Sequence, residues 1–440
     1  MAVEENDRRN LVIVGSGPVG MTAALLLKDR FDSVVLLEKR TKERFLETHG
    51  YTFPIVLSPA AQNVLRDVGV QPSIEQQRSP YFGVVVHRLF MGREFTWTAK
   101  REGIYSHWRN HIVRSLYDRV VESGIDVRFD ARVEDIDFHG RTVTEANGGD
   151  LSFDLLVGAD GMHSQVRSIM ADAHPEYTSS AFESELLDRW YAYRMPSVGR
   201  MHEAFGGEPD GFAHHIHTSN ASTHPRDKFR AVTVAMKQPD PEISVLIKYG
   251  SDLSLDRVDE INRDFFDAYA SDEEIAAGWA SGVGGEYRHI QVPTYVLGST
   301  LLVGDAAHGT EGNGDLINLG ITSVSGLAAL LDESDSIPEA LAEYDRTVGS
   351  ELRYYSRYAL RRSREQIKTE VGLYELGALL RLNGHHPSMW GIFEEDFEVR
   401  SYIERYRRER LLIPIRLGLV AALAVSAVVG LRSMVRRRRA

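Results

Sequence analysis

The segment NLVIVGSGPVGMTAALLLKDRFDSVVLLEKR, residues 10–40, constrains the fold more than any other stretch. An apolar run, Leu11 to Val14, leads through Gly15, Gly17 and Gly20 into a helical stretch from Met21 to Lys28. A second apolar run, Ser33 to Leu37, ends at Glu38, eighteen residues after the last of the three glycines. This is G-x-G-x-x-G in a full βαβ setting. Gly15 permits a tight turn, Gly17 lets main chain approach a pyrophosphate, Gly20 lets helix and strand pack closely, and Glu38 can accept from a ribose hydroxyl. A dinucleotide-binding domain is expected, and the motif alone does not separate FAD from NAD.

Two later segments repeat the strand-then-glycine form. FDLLVGADGMHSQVR, residues 153–167, leads into Asp160-Gly161 and a helix carrying Arg167. TYVLGSTLLVGDAAHGTEGNGDLINLG, residues 294–320, leads into Gly304-Asp305 and a glycine-rich stretch before the next helix. HWRNHIVRSL places Arg109, Ile112 and Leu116 on one helical face. GWASGVGGEY, residues 278–287, has no strand before it and reads as a loop, so no separate nicotinamide domain is expected.

With these motifs in this order, the chain resembles the single-component (group A) FAD-dependent monooxygenases of the p-hydroxybenzoate hydroxylase fold, and within them most the kynurenine 3-monooxygenases. Matching landmarks run from Leu11 to about Gly320. The resemblance implies that the first motif holds the ADP half of FAD and that Gly304-Asp305 holds the ribityl chain through the Asp305 carboxylate. It also implies that Asp160-Gly161, with Arg167, serves FAD and NAD(P)H together, and that Arg109 approaches the FAD. Amides near Asn318 to Ile321, including Gly320, would face the flavin carbonyl edge.

The chain departs from that pattern at three places. GTEGNGDLIN follows His308 where the family has an apolar stretch with Pro and then G-Q-G-x-N; the Pro is missing and the stretch is one residue shorter. Tyr51 stands where the kynurenine enzymes begin a segment with Arg, and Val84 where they carry the Arg that grips an amino-acid carboxylate. An apolar side chain cannot replace a bidentate clamp, so kynurenine is not the expected substrate.

Strand-length segments with alternating or continuous apolar character fill the middle of the chain, as an antiparallel substrate sheet would. In GFAHHIHT, alternation puts Ala213, His215 and His217 on one face and His214 and Ile216 on the other. His215 and His217 are candidate substrate-facing residues, with Val84; no metal site is expected. Cysteine is absent from all 440 residues, which removes disulfides and sulfur nucleophiles from consideration.

The net charge of −12 is unevenly distributed. The last forty residues carry ten arginines against Glu404 and Glu409, leaving an acidic body and a basic tail. Fifteen uncharged residues, Leu417 to Leu431, lie between Arg416 and Arg432. As a helix they would span about 22 Å, short of the roughly 30 Å hydrocarbon core, with Arg416 able to snorkel. The run is apolar all round and flanked by arginine, which points to the cytosolic face of a membrane, held by a C-terminal anchor. Such a segment is also a feature of the kynurenine enzymes.

The expected fold is α/β. A Rossmann-like FAD-binding domain (1–78, 105–180 and 290–337) carries an inserted antiparallel β-sheet substrate domain (79–104 and 181–289). A helical C-terminal region (338–410) and an apolar, membrane-associating tail (411–440) follow. The resemblance implies an FAD enzyme with NADPH or NADH as co-substrate and O2 as oxidant, hydroxylating or epoxidising a small lipophilic aromatic or isoprenoid compound through a C4a-hydroperoxyflavin. No nucleic-acid partner is expected. The alternatives are a membrane-associated flavin-dependent dehydrogenase or reductase, and a non-catalytic FAD-containing binding protein.

Overall fold

The computed structural model describes residues 9–47, 54–70, 73, 75, 79–90, 93–100, 105–174, 177, 180–183, 189–196, 212–218, 232–237, 242–250, 252–267, 270–310, 315–365, 398–405, 407, 408, 411, 412, 414–419, 422 and 426. Tyr51, the stretch 311–314 and most of the tail lie outside them.

The apolar runs at Asn10–Val14, Leu155–Gly158 and Thr300–Leu302 are buried along almost their whole length. Strands buried on both faces belong in a parallel sheet covered by helices. They form the centre of a six-stranded sheet in the order 296–297, 300–302, 155–158, 10–14, 33–37, 126–128, parallel except for the hairpin 296–302. Val14 lies opposite both Leu37 and Gly158, and Gly158 opposite Leu302, so these strands end level with one another. All three glycine motifs therefore leave the sheet side by side at its carboxyl edge, where open α/β sheets bind ligands.

Helix Pro18–Leu27 covers one face of this sheet and packs against helices Arg109–Glu122 and Asp315–Glu333. It begins three residues earlier than the sequence suggests, because Gly17 is its N-cap and Pro18 its first residue. Pro tolerates that position since its missing N–H would have no intrahelical partner.

The second sheet has nine strands. Its order is 283–286, 189–196, 242–249, 232–237, 212–218, 79–90, 105–108, 54–57, with 93–100 paired to 79–90 off that path. An all-antiparallel sheet was expected, and one pair differs: Phe212–Thr218 runs parallel to Ser79–Phe90. The chain passes through the parallel-sheet domain between these two strands, so no hairpin dictates opposite directions.

Alternation along Arg189–Pro196 and Glu242–Tyr249 separates two cores. Tyr193, Val245, Ile247 and Tyr249 pack with Val258 and Ile275 of helices Leu255–Asp267 and Asp272–Ser281. Ala192 and Leu246 point the other way and join the main core with the dinucleotide domain. The sheet thus has a helix-covered side and a side toward the glycine motifs.

GWASGVGGEY is not a loop. Ser271 and Glu274 form a capping box that starts helix Asp272–Ser281, and Val283–Glu286 is an edge strand paired to Arg189–Pro196. Its glycines serve close packing: a Cβ on Gly285 would lie 2.7 Å from the Trp190 ring, and one on Gly284 3.1 Å from Tyr191. Glycine in a strand marks such an approach as readily as it marks a turn.

Helices Ile337–Tyr344 and Ser350–Glu365, joined by a π-helical turn at Asp345–Gly349, follow as the periodicity suggests. Among the described residues, the helix long and apolar enough to cross a membrane is Leu316–Glu333. It is part of the dinucleotide domain, packed on helix Pro18–Leu27, and is not the tail. Of the tail, the described Leu411, Ile415 and Leu419 are 70, 58 and 61% exposed.

Candidate functional site

The first motif builds a turn that only glycine fits. Gly15 has φ +104° and donates to Leu37 O at 2.8 Å; a Cβ there would lie 2.5 Å from Ala159 O. A Cβ on Gly20 would lie 2.0 Å from Gly15 O, so the helix presses directly on the turn. Gly17 is the opposite case, with nothing within 4 Å of an added Cβ. No side chain caps this helix, and the Ser16 hydroxyl is buried without a hydrogen-bond partner among the described residues. An uncapped helix N-terminus, open space at Gly17 and an unpaired hydroxyl together suit a diphosphate.

Glu38 ends the second strand with its carboxylate buried. Oε1 accepts from the Arg40 backbone N–H at 3.0 Å and from Arg40 Nε at 2.7 Å; Oε2 accepts from Arg40 Nη2 at 3.0 Å and from the Ser16 backbone N–H at 3.3 Å. Burial pushes its pKa up, and the Arg40 bonds and charge with the Ser16 amide outweigh burial, holding it below the usual carboxylate value. Sequence reading passed over Arg40, although a cation two residues beyond a strand-terminal acid is a visible signal.

Ser164 caps the helix Gln165–Ala173, its hydroxyl accepting from the Arg167 amide at 3.0 Å, and Asp160 Oδ2 accepts from the first two helical amides, those of Gln165 and Val166, at 2.6 and 3.2 Å. Burial raises its pKa, partly offset by these donors and Ser164. Gly161 follows with φ +82° and open space around it. Arg167, buried on that helix, donates through Nη1 to Ala306 O at 2.7 Å and through Nη2 to Met162 O at 2.8 Å. It clamps the second motif to the third.

Gly304, φ +59°, precedes the short helix Asp305–His308. An added Cβ on Gly304 would sit 3.2 Å from Val19 Cγ2, and one on Gly320 2.6 Å from the same atom. Val19 of the first motif is therefore seated between glycines of the third. The Asp305 carboxylate makes no hydrogen bond among the described residues; burial raises its pKa, and the nearby Arg109 charge partly offsets this. Arg109, first residue of helix Arg109–Glu122, has its pKa lowered by burial, offset by Asp305 and deepened by Arg40. Ile112 and Leu116, on the same helical face, are fully buried and fix that helix to the core. The acid and the arginine, nearly two hundred residues apart in sequence, are thus brought near enough for each charge to act on the other. His308 is fully buried with neither ring nitrogen bonded, and burial pushes its pKa down to about 4, so it stays neutral.

The Asn318 side chain has a role of its own. Its Nδ2 donates to Val56 O at 3.0 Å and its Oδ1 accepts from the Ser58 backbone N–H at 2.7 Å. The side chain is a strut to the strand Pro54–Leu57 and to Ser58, which caps the following helix. The helix containing it begins at Asp315, so the helical amides without intrahelical partners belong to residues 315–317, a turn before Ile321.

Of the substrate candidates, Val84 pairs with His214 and Ala99. Following the ladder, His214 pairs with Met236, Met236 with Ser244, and Ser244 with Arg194. Directly opposed residues share a side of a sheet, and Arg194 lies over the Trp108 ring at 4.2 Å, beside Arg109. His215 pairs with Ala235 and Val85, and His217 with Thr233 and His87.

Residues 8–335 match the family model described as FAD binding domain. The chain is 23% identical over 473 aligned positions to a kynurenine 3-monooxygenase of Candida albicans, a match covering 99% of each chain. It is 25% identical over 232 positions to a kynurenine 3-monooxygenase of Christiangramia forsetii, covering 51% of this chain and about half, 49%, of that one. Among solved structures, the tetrameric form of 2-methyl-3-hydroxypyridine-5-carboxylic acid oxygenase superposes with a TM-score of 0.66 at 20% identity, covering 89% of this chain and 97% of the other.

Proposed function

We propose that the chain, which belongs to the FAD-binding domain family and is an FAD-dependent monooxygenase, uses NAD(P)H and O2 to hydroxylate or epoxidise a lipophilic aromatic or isoprenoid substrate. The observation that carries the substrate class is Val84, an apolar residue at the position where the kynurenine enzymes carry the arginine that grips a carboxylate. The dehydrogenase and binding-protein readings gain no support from the relatives, whose names are those of oxygenases.

Bound FAD would take a hydride from NAD(P)H and activate O2 for transfer of one oxygen atom to the substrate. The chain's own residues position and insulate. Gly17 and the amides of helix Pro18–Leu27 would hold the diphosphate, and Glu38 the adenosine ribose. Asp305 would accept from the ribityl hydroxyls, with Arg109 as its counter-charge. The Asp160-Gly161 loop is the proposed approach for the nicotinamide. First-turn amides of helix Asp315–Glu333 would face the flavin carbonyl edge, where they favour negative charge. Val84, His215 and His217 are the proposed substrate-facing residues.

The test is oxygen uptake and flavin bleaching by the purified protein with NADPH or NADH across lipophilic aromatics, isoprenoids and soluble polar phenols. Lipophilic ligands are expected to stimulate oxidation with oxygenated product. Turnover confined to the polar phenols sinks the substrate class, and bleaching without oxygen insertion sinks the reaction.

Residues 411–440 are proposed to attach the enzyme to a membrane. Support comes from the uncharged run Leu417 to Leu431 between arginines and from the exposure of Leu411, Ile415 and Leu419. The full chain should float with liposomes containing anionic lipid, and a chain ending at Arg410 should stay behind; equal flotation of both rules the tail out as the attachment.

A further inference from the structure

Arg40 and Glu38 form a closed set. A carboxylate offers about four acceptor positions, and the four contacts above fill them: two at Oε1 from the Arg40 backbone and Nε, two at Oε2 from Arg40 Nη2 and Ser16. The guanidinium meets the carboxylate as a fork, one N–H on each oxygen. A ribose 2′,3′-diol also binds a carboxylate with one O–H on each oxygen. The fork and the diol require the same two positions, so Glu38 can hold one or the other.

We infer that Arg40 and the adenosine ribose of FAD compete for Glu38, and that Arg40, on leaving, moves to the diphosphate beside Arg109. The inference rests on the FAD reading above. The geometry gives Arg40 room to do this. Its side chain is 28% exposed against 4% for Glu38, so the arginine lies on the open side of the pair. Its guanidinium carbon stands 5.0 Å from the centroid of the fully buried Phe45 ring, a fixed surface about which the head group can turn. Glu38 Oε2 also accepts from the Ser16 backbone N–H, one residue before the open space at Gly17, so the pair stands beside the place proposed for the diphosphate, and the Arg40 charge reaches Arg109 as well. An anion between them would relieve a repulsion that the Glu38 pair only partly masks. Arg40 thereby makes adenosine recognition depend on a phosphate being present: a ligand with the diol alone must displace the arginine and gains nothing from it afterwards.

The experiment separates the two halves with small probes on deflavinated protein at pH 8, comparing wild type with Arg40→Met and Arg40→Gln. Adenosine carries the diol and no charge, 2′,3′-dideoxyadenosine lacks the diol, and ADP adds the diphosphate. Both variants should bind adenosine about five-fold more tightly than wild type, the effect of removing one partly exposed ion pair. Dideoxyadenosine should bind all three proteins alike. For ADP the gain should vanish or reverse, because the released arginine no longer meets the phosphates. Adenosine binding unchanged or weaker in both variants, with FAD still rebinding, overturns the exchange and leaves Arg40 as a support for Glu38. Failure of wild type to rebind FAD overturns the cofactor reading itself. Thermal unfolding of the variants shows that each is folded when probed.

Discussion

Gly20→Ala is expected to abolish FAD retention and to cost about 3 kcal/mol of stability or more. The added methyl would stand 2.0 Å from Gly15 O and 3.3 Å from the Ala159 Cβ. Neither neighbour can yield cheaply. Gly15 is already held at φ +104° with its N–H on Leu37 O, and Ala159 follows the central strand Leu155–Gly158 and donates its own N–H to Val14 O. Moving the helix away instead would unseat Val19 from Gly304 and Gly320. Gly17→Ala is the matched comparison. Its methyl meets nothing within 4 Å, and at an N-cap the exchange costs roughly a kilocalorie at most. That variant should therefore melt close to wild type while binding FAD weakly, because the methyl enters the space proposed for the diphosphate. Melting temperature and flavin content measured on the two proteins decide the matter. A Gly20→Ala protein that melts normally with bound flavin would mean that the turn relaxes in a way its hydrogen bonds do not suggest.

Arg167→Met should lower stability by about 3 kcal/mol, since two buried carbonyls lose their donors at roughly 1–3 kcal/mol each and the methionine restores part of the packing. The carbonyls belong to Met162 and Ala306, in the second and third motifs respectively. Burial pushes the Arg167 pKa down and Asp160 offsets this, so the cation is retained as a hydrogen-bonding fork rather than as half of a surface pair. Arg167→Lys keeps the charge and loses the fork, and should fall between the other two proteins. Urea unfolding together with the rate of FAD release would show the effect: the clamp fixes Ala306, the residue after Asp305, so release should quicken as stability falls. Unchanged unfolding in both variants would show that water replaces the fork.

Much of this was legible before any coordinates. The opening strand and Ser33 to Leu37 fall where their apolar runs suggest, and Arg109 begins a helix whose Ile112 and Leu116 are fully buried. These are local patterns, in which burial and periodicity write the same message into neighbouring residues. The misreadings share a different cause. The glycines of GWASGVGGEY looked like loop residues because their partners, Trp190 and Tyr191, are some ninety positions away. The strut formed by the Asn318 side chain was invisible for the same reason: Val56 and Ser58, which bond its amide, lie in another part of the chain.

The sequence by itself determined a dinucleotide-binding family and the turn at each of three glycine-bearing strand ends, since each motif specifies its own turn from residues next to one another. Only the tertiary structure decided how those ends meet: Val19 between Gly304 and Gly320, Arg167 bridging two motifs, the Arg109 charge acting on Asp305, and Arg40 filling Glu38. The physical reason is that turn conformation is set by short-range sterics, which a few consecutive residues encode. Pairing of buried polar groups is set by which distant segments are brought together when the sheets form, and no single stretch of chain contains that information.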